Sequence, residues 1–244
     1  MQNSSNKIAL VTGANKGIGF EVARQLAARG CTVLLGARNP ELGEAATAKL
    51  AVEGLDVRHI LIDLIDLPAI TAAAEAIATD YGRLDILVNN AGIAAAGDGS
   101  ATSSTLDAIE QVLRVNFIGS VAVTQAMLPL LRKSPSARIV NVSSGLGSLT
   151  KNTDASYAVA ASSYFGYCAS KAALNMFTVH LAHQLRDTAI KVNSSAPGYT
   201  ATDLNSHRGT QTISEGAAET IRLALLSDDG PTGSFSETMG VVPW

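Results

Sequence analysis

Thiols are scarce in this chain of 244 residues: Cys31 and Cys168 are the only cysteines, and they stand in no paired or metal-binding spacing. A disulfide framework and a thiolate metal centre are therefore excluded as organising devices, and Cys31 falls in an apolar run that reads as a buried strand. Histidine offers no substitute. His180 and His183 lie three apart on one helical stretch without a third ligand at matching spacing, and His59 and His207 are isolated, so no metal site is expected. Charge is sparse too: 16% of residues are charged, the net charge is -3 and no basic cluster occurs. That excludes nucleic acid and an anionic membrane as primary partners. No apolar run reads as long enough to span a bilayer, and the polar N-terminal segment leads straight into a first apolar stretch without the pattern of a signal peptide, so a cytoplasmic protein is expected. Nor does a Pro/Gly/Ser-rich linker, a composition shift or an internal repeat divide the chain, and with 47% hydrophobic residues it can bury the core of one large domain.

What is present is an alternation. Strand-like apolar runs at residues 7–11, 32–36, 57–62, 84–88, 138–142, 190–194 and 233–239 are separated mostly by helical patterns. The first of these carries Ile18, Val22, Leu26 and Ala27 and stops at Gly30; others follow at 40–53, 67–81, 105–131, 163–185 and 214–226. Such alternation predicts an α/β fold with a parallel sheet covered on both faces, whose ligand site lies beyond the carboxyl ends of the strands.

Two motifs fall at those ends. Gly13, Gly17 and Gly19 form a turn between the first strand and the first helix, where bare backbone at the positive end of a helix can meet a pyrophosphate. Their spacing, Gly-x-x-x-Gly-x-Gly, departs from the commoner Gly-x-Gly-x-x-Gly fingerprint. Further on, Tyr167 and Lys171 stand four apart on one helical face, so an ammonium can favour the phenolate of its neighbour and make a proton donor or acceptor usable near neutral pH. Either motif alone has a bland reading, a tight turn or an exposed helical pair. Together, in one α/β alternation, they point to dinucleotide chemistry.

The ordered series Thr12-Gly13-Ala14-Asn15-Lys16-Gly17-Ile18-Gly19, Asn89-Asn90-Ala91-Gly92, Asn116, Ser143-Ser144, Tyr167-x-x-x-Lys171 and Pro197-Gly198 resembles the short-chain dehydrogenase/reductase family over essentially the whole chain. The resemblance implies a single-domain, Rossmann-type, doubly wound parallel sheet with helices on both faces. Asn15-Lys16, the segment 196–203 and the tail 215–244 are most similar to the NADPH-dependent carbonyl reductases. By that resemblance Gly13, Asn15, Lys16, Gly17, Ile18 and Gly19 hold the nucleotide, Asp63 and Leu64 meet the adenine, and Asn90, Ala91 and Gly92 close the fourth strand at the cofactor, the glycine admitting the ribose while Asn90 also reads as a brace of the central sheet. Asn89 reads better as a brace within the sheet. Pro197, Gly198, Thr200 and Thr202 lie along the nicotinamide and pyrophosphate. The end of the second strand reads Leu35-Gly36-Ala37-Arg38, with Ala37 where an NAD enzyme places an acid, while Arg38 and Lys16 can take a 2′-phosphate. NADPH is the cofactor expected.

The resemblance also implies the catalytic set: Tyr167 as acid, Ser144 as hydrogen-bond donor, Lys171 binding the nicotinamide ribose and lowering the phenol pKa, and Asn116 holding a water that links Lys171 to solvent. Local sequence alone does not separate Ser144 from Ser143. The activity expected is NADPH-dependent reduction of a ketone or aldehyde; the alternatives are a dehydrogenase working mainly toward alcohol oxidation and a non-catalytic NADP-binding regulator. The substrate expected is a small carbonyl or alcohol compound. An insert at 145–166 is longer than in most family members and shorter than in monomeric carbonyl reductases, and 204–213 reads as a substrate lid. Apolar residues beyond one core stripe, Val112, Val121, Leu128, Leu174, Phe177 and Leu181, point to pairing across a two-fold axis, hence a homodimer or homotetramer. Trp244 either caps the sheet edge or packs across a subunit boundary.

Overall fold

The first apolar run folds as β1 (Ile8–Thr12), with all five residues buried, which is possible only for a strand covered on both faces. Parallel neighbours flank it on either side, β2 (Thr32–Ala37) and β4 (Ile86–Asn89), and β3 (Val57–Leu61) extends the sheet beyond β2. On the other side follow β5 (Arg138–Val142), β6 (Lys191–Ser195), β7 (Phe235–Glu237) and β8 (Gly240–Val241), giving the order β3-β2-β1-β4-β5-β6-β7-β8. This computed structural model describes residues 6–155, 157 and 163–244. The strand order reverses between β1 and β4, and a doubly wound sheet opens its ligand crevice at such a point. The last strand departs from expectation: of the run 233–239 only Phe235–Glu237 is strand, the chain turns at Thr238 and Met239, and β8 pairs antiparallel with β7. Trp244 then stacks on Phe235 of β7, with ring centroids 5.4 Å apart, so it caps the sheet edge within its own chain.

Six main helices cover the sheet: α1 (Gly17–Ala27), α2 (Pro40–Val52), α3 (Leu67–Tyr81), α4 (Leu106–Leu131), α5 (Phe165–Gln184) and α6 (Ile213–Ala224). Val22, Leu26, Leu50 and Ile221 pack on one face of the strands, and Ile70, Ile77, Met127 and Leu181 on the other. By length and composition α4 is apolar enough to cross a membrane, contrary to the reading of the sequence. It is placed here as a core helix, burying Val112, Val123, Met127, Leu130 and Leu131. Its middle widens into a π-helical stretch at Arg114–Gly119, a feature without a sequence signal. At its end Gly119 presses on Leu64, where an added Cβ would sit 2.6 Å from the Leu64 Cβ.

Buried polar side chains lock α4 and α5 to the sheet. Asn89 donates to Asn141 Oδ1 at 2.8 Å and to Thr124 Oγ1 at 2.9 Å, and Asn141 donates to Thr178 Oγ1 at 2.8 Å. These bonds cross β4, β5, α4 and α5, so Asn89 is the brace its position implied. The outward surplus expected on the two helices is different in the fold: Val112, Leu174 and Leu181 are buried at 0%, 1% and 7% exposure. They pack inward because α4 and α5 each meet the sheet and one another, which widens the covered stripe. The residues left outside are Ile118, Met176 and Val179, with Val121, Leu128 and Phe177 half-buried.

Candidate active site

The glycine turn at the end of β1 is held from the neighbouring strand. Gly13 has φ of 61° and lies so close to Ala91 that a Cβ would fall 2.8 Å from the Ala91 Cα. Asn90 donates from its side chain to the carbonyls of Thr12 at 2.8 Å and Gly13 at 3.1 Å, while Thr12 Oγ1 accepts from the backbone of Asn90 and Ala91. Asn90 therefore braces the turn. Thr12 is its partner in that task and carried no signal of its own in the sequence.

The helix that leaves this turn has an open end. Among the described residues α1 has no side-chain cap and no acid in its first turn. The other five main helices have their first amides satisfied: Asn39 caps α2, Asp66 α3, Thr105 α4 and Thr212 α6, and Asp98 accepts from the first turn of α5. Uncapped donors at a helix N-terminus favour an anion, and Gly17, Ile18 and Gly19 supply them here. Beside them Ala37 is buried and Arg38 is exposed with no ion pair among the described residues. The residues present thus fit a dinucleotide that carries phosphate groups.

Other expected contact residues spend part of their capacity locally. Asp63 Oδ1 accepts from the Ile65 amide at 3.2 Å, and Leu64 is buried against Gly119. Thr200 is buried and donates to the Pro197 carbonyl at 3.1 Å, closing the turn that contains Gly198 at φ of 75°. Thr202 faces the glycine turn, with its methyl 3.9 Å from where a Gly17 Cβ would be. Lys16 reaches across that gap: its ammonium pairs with Asp203 at 2.5 Å, and His207 Nε2 lies 2.8 Å from the same carboxylate. The Lys16 hydrogen bond holds the Asp203 carboxyl below its usual range. Asp203 was not singled out in the sequence, because a lone acid in a polar loop has no pattern.

At the end of β5 the fold brings the four catalytic candidates together. Ser144 is the serine that acts on the Tyr167 phenol, lowering its pKa, while Ser143 is buried and turned to the Lys171 carbonyl, which distinguishes the two serines. Lys171 is 4% exposed, donates to the Val142 carbonyl at 2.7 Å and stands 5.6 Å from the centre of the Tyr167 ring. Asn116, fully buried in the π-helical stretch, accepts from the Ile93 amide at 2.8 Å and donates to the Ile93 carbonyl and to Ser170. Gly92 lies between the two: a Cβ there would come within 3.3 Å of Asn116 Oδ1 and 3.6 Å of Lys171 Nζ.

The phenol does not behave as the Tyr-Lys spacing implied. Burial pushes Tyr167 up to about 12, only partly offset by Ser144. Lys171, aimed at Val142, is itself lowered to about 8 by burial. Desolvation is the leading cause of both shifts.

Residues 7–212 match the family model for short chain dehydrogenases. The chain belongs to this family. It is an oxidoreductase of the short-chain dehydrogenase class. Among relatives it is 34% identical to NADPH carbonyl reductase 1 of Mus musculus, covering 99% of this chain and 100% of that one. It is 32% identical to the (+)-neomenthol dehydrogenase of Capsicum annuum, covering 96% of each. Among solved structures it superposes on the NADPH-bound carbonyl reductase from chicken fatty liver with a TM-score of 0.85 at 30% identity, over 98% of this chain and 99% of that one.

The two displaced groups give stability a defined dependence on pH. Lys171 holds its proton less tightly in the fold, near 8, than in the unfolded chain, near 10.5. Between those values the unfolded chain binds more protons, so stability rises with pH. Tyr167 is the reverse: the fold keeps its proton to about 12 and the unfolded chain loses it near 10, so stability falls across that window. Chemical denaturation between pH 8 and 10 is expected to show a rise of roughly 1 kcal/mol per pH unit that is absent from Lys171→Met. Equal slopes in the two proteins would place the ammonium in solvent.

Proposed function

We propose that this protein is an NADPH-dependent carbonyl reductase in which Tyr167 is the proton donor. The observation that carries the reading is the convergence of the Ser144 hydroxyl and the Tyr167 phenol at the end of β5, with Lys171 buried behind them. A ketone or aldehyde oxygen placed there meets two donors before negative charge develops on it, which is the arrangement that lowers the barrier to carbonyl reduction. When bound, NADPH supplies the hydride. Tyr167 gives its proton to the nascent alkoxide and Ser144 steadies the oxygen.

The displacement of the phenol bears on its protonation state. A tyrosine pushed up to about 12 is fully protonated at neutral pH, so it is prepared as an acid and poorly prepared as a base. The names of the relatives, a carbonyl reductase and a neomenthol dehydrogenase, support a fairly apolar carbonyl substrate.

For the cofactor, the uncapped end of α1 receives the pyrophosphate and Arg38 the 2′-phosphate, in a site where Ala37 leaves no carboxylate to repel it. Lys16 is shared: its bond to Asp203 ties the glycine turn to the segment 204–213, which acts as a lid.

The assembly proposed is a homodimer or homotetramer through α4 and α5. Phe117, Val121, Met176, Phe177 and His180 line an apolar hollow between these helices. The described part of the insert turns away from it, with the Thr150 amide bonded to the Trp244 carbonyl, the Ser148 hydroxyl to that of Pro243, and Lys151 paired with Glu237. Residues 156 and 158–162 of the insert lie outside the described residues.

Three measurements test this reading. Consumption of NADPH with a panel of aryl ketones, diketones and aldehydes is expected, and Tyr167→Phe should lower kcat by about 100-fold or more; reduction that survives loss of the phenol overturns the mechanism. Arg38→Asp should raise the KM for NADPH about 10- to 100-fold and improve the use of NADH, since one charge-assisted contact to phosphate is replaced by an acceptor for a diol. Unchanged NADPH kinetics would remove Arg38 from the site. Light scattering should give a multiple of 25.1 kDa that Met176→Asp reduces to the single mass, whereas 25.1 kDa for the unmodified protein would show a monomer.

A further inference from the structure

Every α-helix begins with amide groups that have no partner inside the helix, and at α5 the bookkeeping can be completed. Its N-cap, Tyr164, contributes no side-chain hydrogen bond. The Phe165 amide donates to the Gly99 carbonyl at 2.9 Å, the Gly166 amide to Asp98 Oδ1 at 2.8 Å, and the Tyr167 amide to Asp98 Oδ2 at 2.9 Å. The next amide, that of Cys168, already bonds back to Tyr164 within the helix. The first three amides of the helix proper therefore end on two consecutive residues that lie 66 or more positions earlier in the chain, and the last belongs to the candidate proton donor itself.

Asp98 is built to do this. The Ser104 hydroxyl donates to its Oδ1 at 3.1 Å and accepts from the Gly99 amide at 2.9 Å, while the Thr105 amide bonds to the Gly97 carbonyl at 3.1 Å. These bonds close the loop on itself and orient the carboxylate. Gly166 admits it, since a Cβ there would lie 3.1 Å from Asp98 Oδ1. The same loop starts at Ile93, whose amide and carbonyl are both bonded by Asn116. One segment thus joins Asn116 to the start of α5.

We propose that Asp98 is a positioning residue for catalysis: its carboxylate, seated on the Gly166 and Tyr167 amides, fixes where the Tyr167 phenol stands relative to Ser144 and the carbonyl oxygen. The inference rests on the proposed role of Tyr167. A carboxylate bond to a backbone amide is charge-assisted and directional, so it defines position as well as adding stability. A displacement of a reacting group by about 1 Å costs on the order of 100-fold in rate.

The test uses the full chain, with Asp98→Ala, Asp98→Asn and Tyr167→Phe assayed side by side for steady-state reduction of a carbonyl compound that the unmodified enzyme accepts. Asp98→Ala should lower kcat by about 10- to 100-fold, with the KM for NADPH and for the carbonyl each within about twofold. Asp98→Asn, which keeps one acceptor on the helix, should recover part of that loss, to within about tenfold of the unmodified rate. A general loosening of the fold would instead raise both KM values and leave the two Asp98 variants alike, and either result overturns the proposal. If Asp98→Ala does not fold, Asp98→Asn decides: a kcat deficit with both KM values preserved supports the role, and an unchanged kcat overturns it. Unchanged kcat in Asp98→Ala beside an inactive Tyr167→Phe overturns the positioning role alone. Retained reduction in Tyr167→Phe overturns the donor assignment and this inference with it.

Discussion

A single ammonium held away from water is the constraint around which this structure is arranged. Lys171 is almost fully buried, and its Nζ has to find an acceptor there or carry an unpaid desolvation cost; it finds the Val142 carbonyl at the last residue of β5. The lysine backbone is gripped as well: Ser143 donates to its carbonyl, and a Cβ on Gly147 would strike Lys171 at 2.7 Å. β5, the turn after it and α5 are thereby fixed to one another at one residue. Ser144 follows Val142 by two positions and Tyr167 precedes Lys171 by one helical turn, so locking the lysine brings serine and phenol together.

Most of the fold was legible because the period of the apolar pattern switches cleanly between strand and helix. β5 and α3 fall where the pattern ends, as Val142 and Tyr81 show, and the other elements differ from expectation by a few residues at their ends. The catalytic candidates were legible for another reason: Tyr167 and Lys171 are four apart on one helix, so local spacing already states their geometry. The cofactor end was readable from the glycine turn and from the absence of an acid at Ala37.

What escaped the sequence depends on contacts between distant residues. Asp98 sits in a Gly-Asp-Gly turn that would suit any loop, and only folding brings it to the start of α5. Lys16 read as free to meet a phosphate, and only the fold sets Asp203 beside it. The apolar count on α4 and α5 misjudged which residues are left over, because a helix packed against both a sheet and a second helix buries more than one stripe; Val112 and Leu174 are inside for that reason. Ser143 and Ser144 are indistinguishable as letters, and only the fold turns Ser143 to the Lys171 carbonyl and leaves Ser144 to act on the phenol.

Burial does more than hold the site together; it orders the acids within it. In water a tyrosine and a lysine have nearly the same affinity for a proton, with ordinary values of 10.0 and 10.5. In this fold the phenol rises to about 12 and the ammonium falls to about 8, because each is driven toward its uncharged form. The desolvation that lowers the ammonium also costs the fold stability at neutral pH, where the lysine still carries its charge.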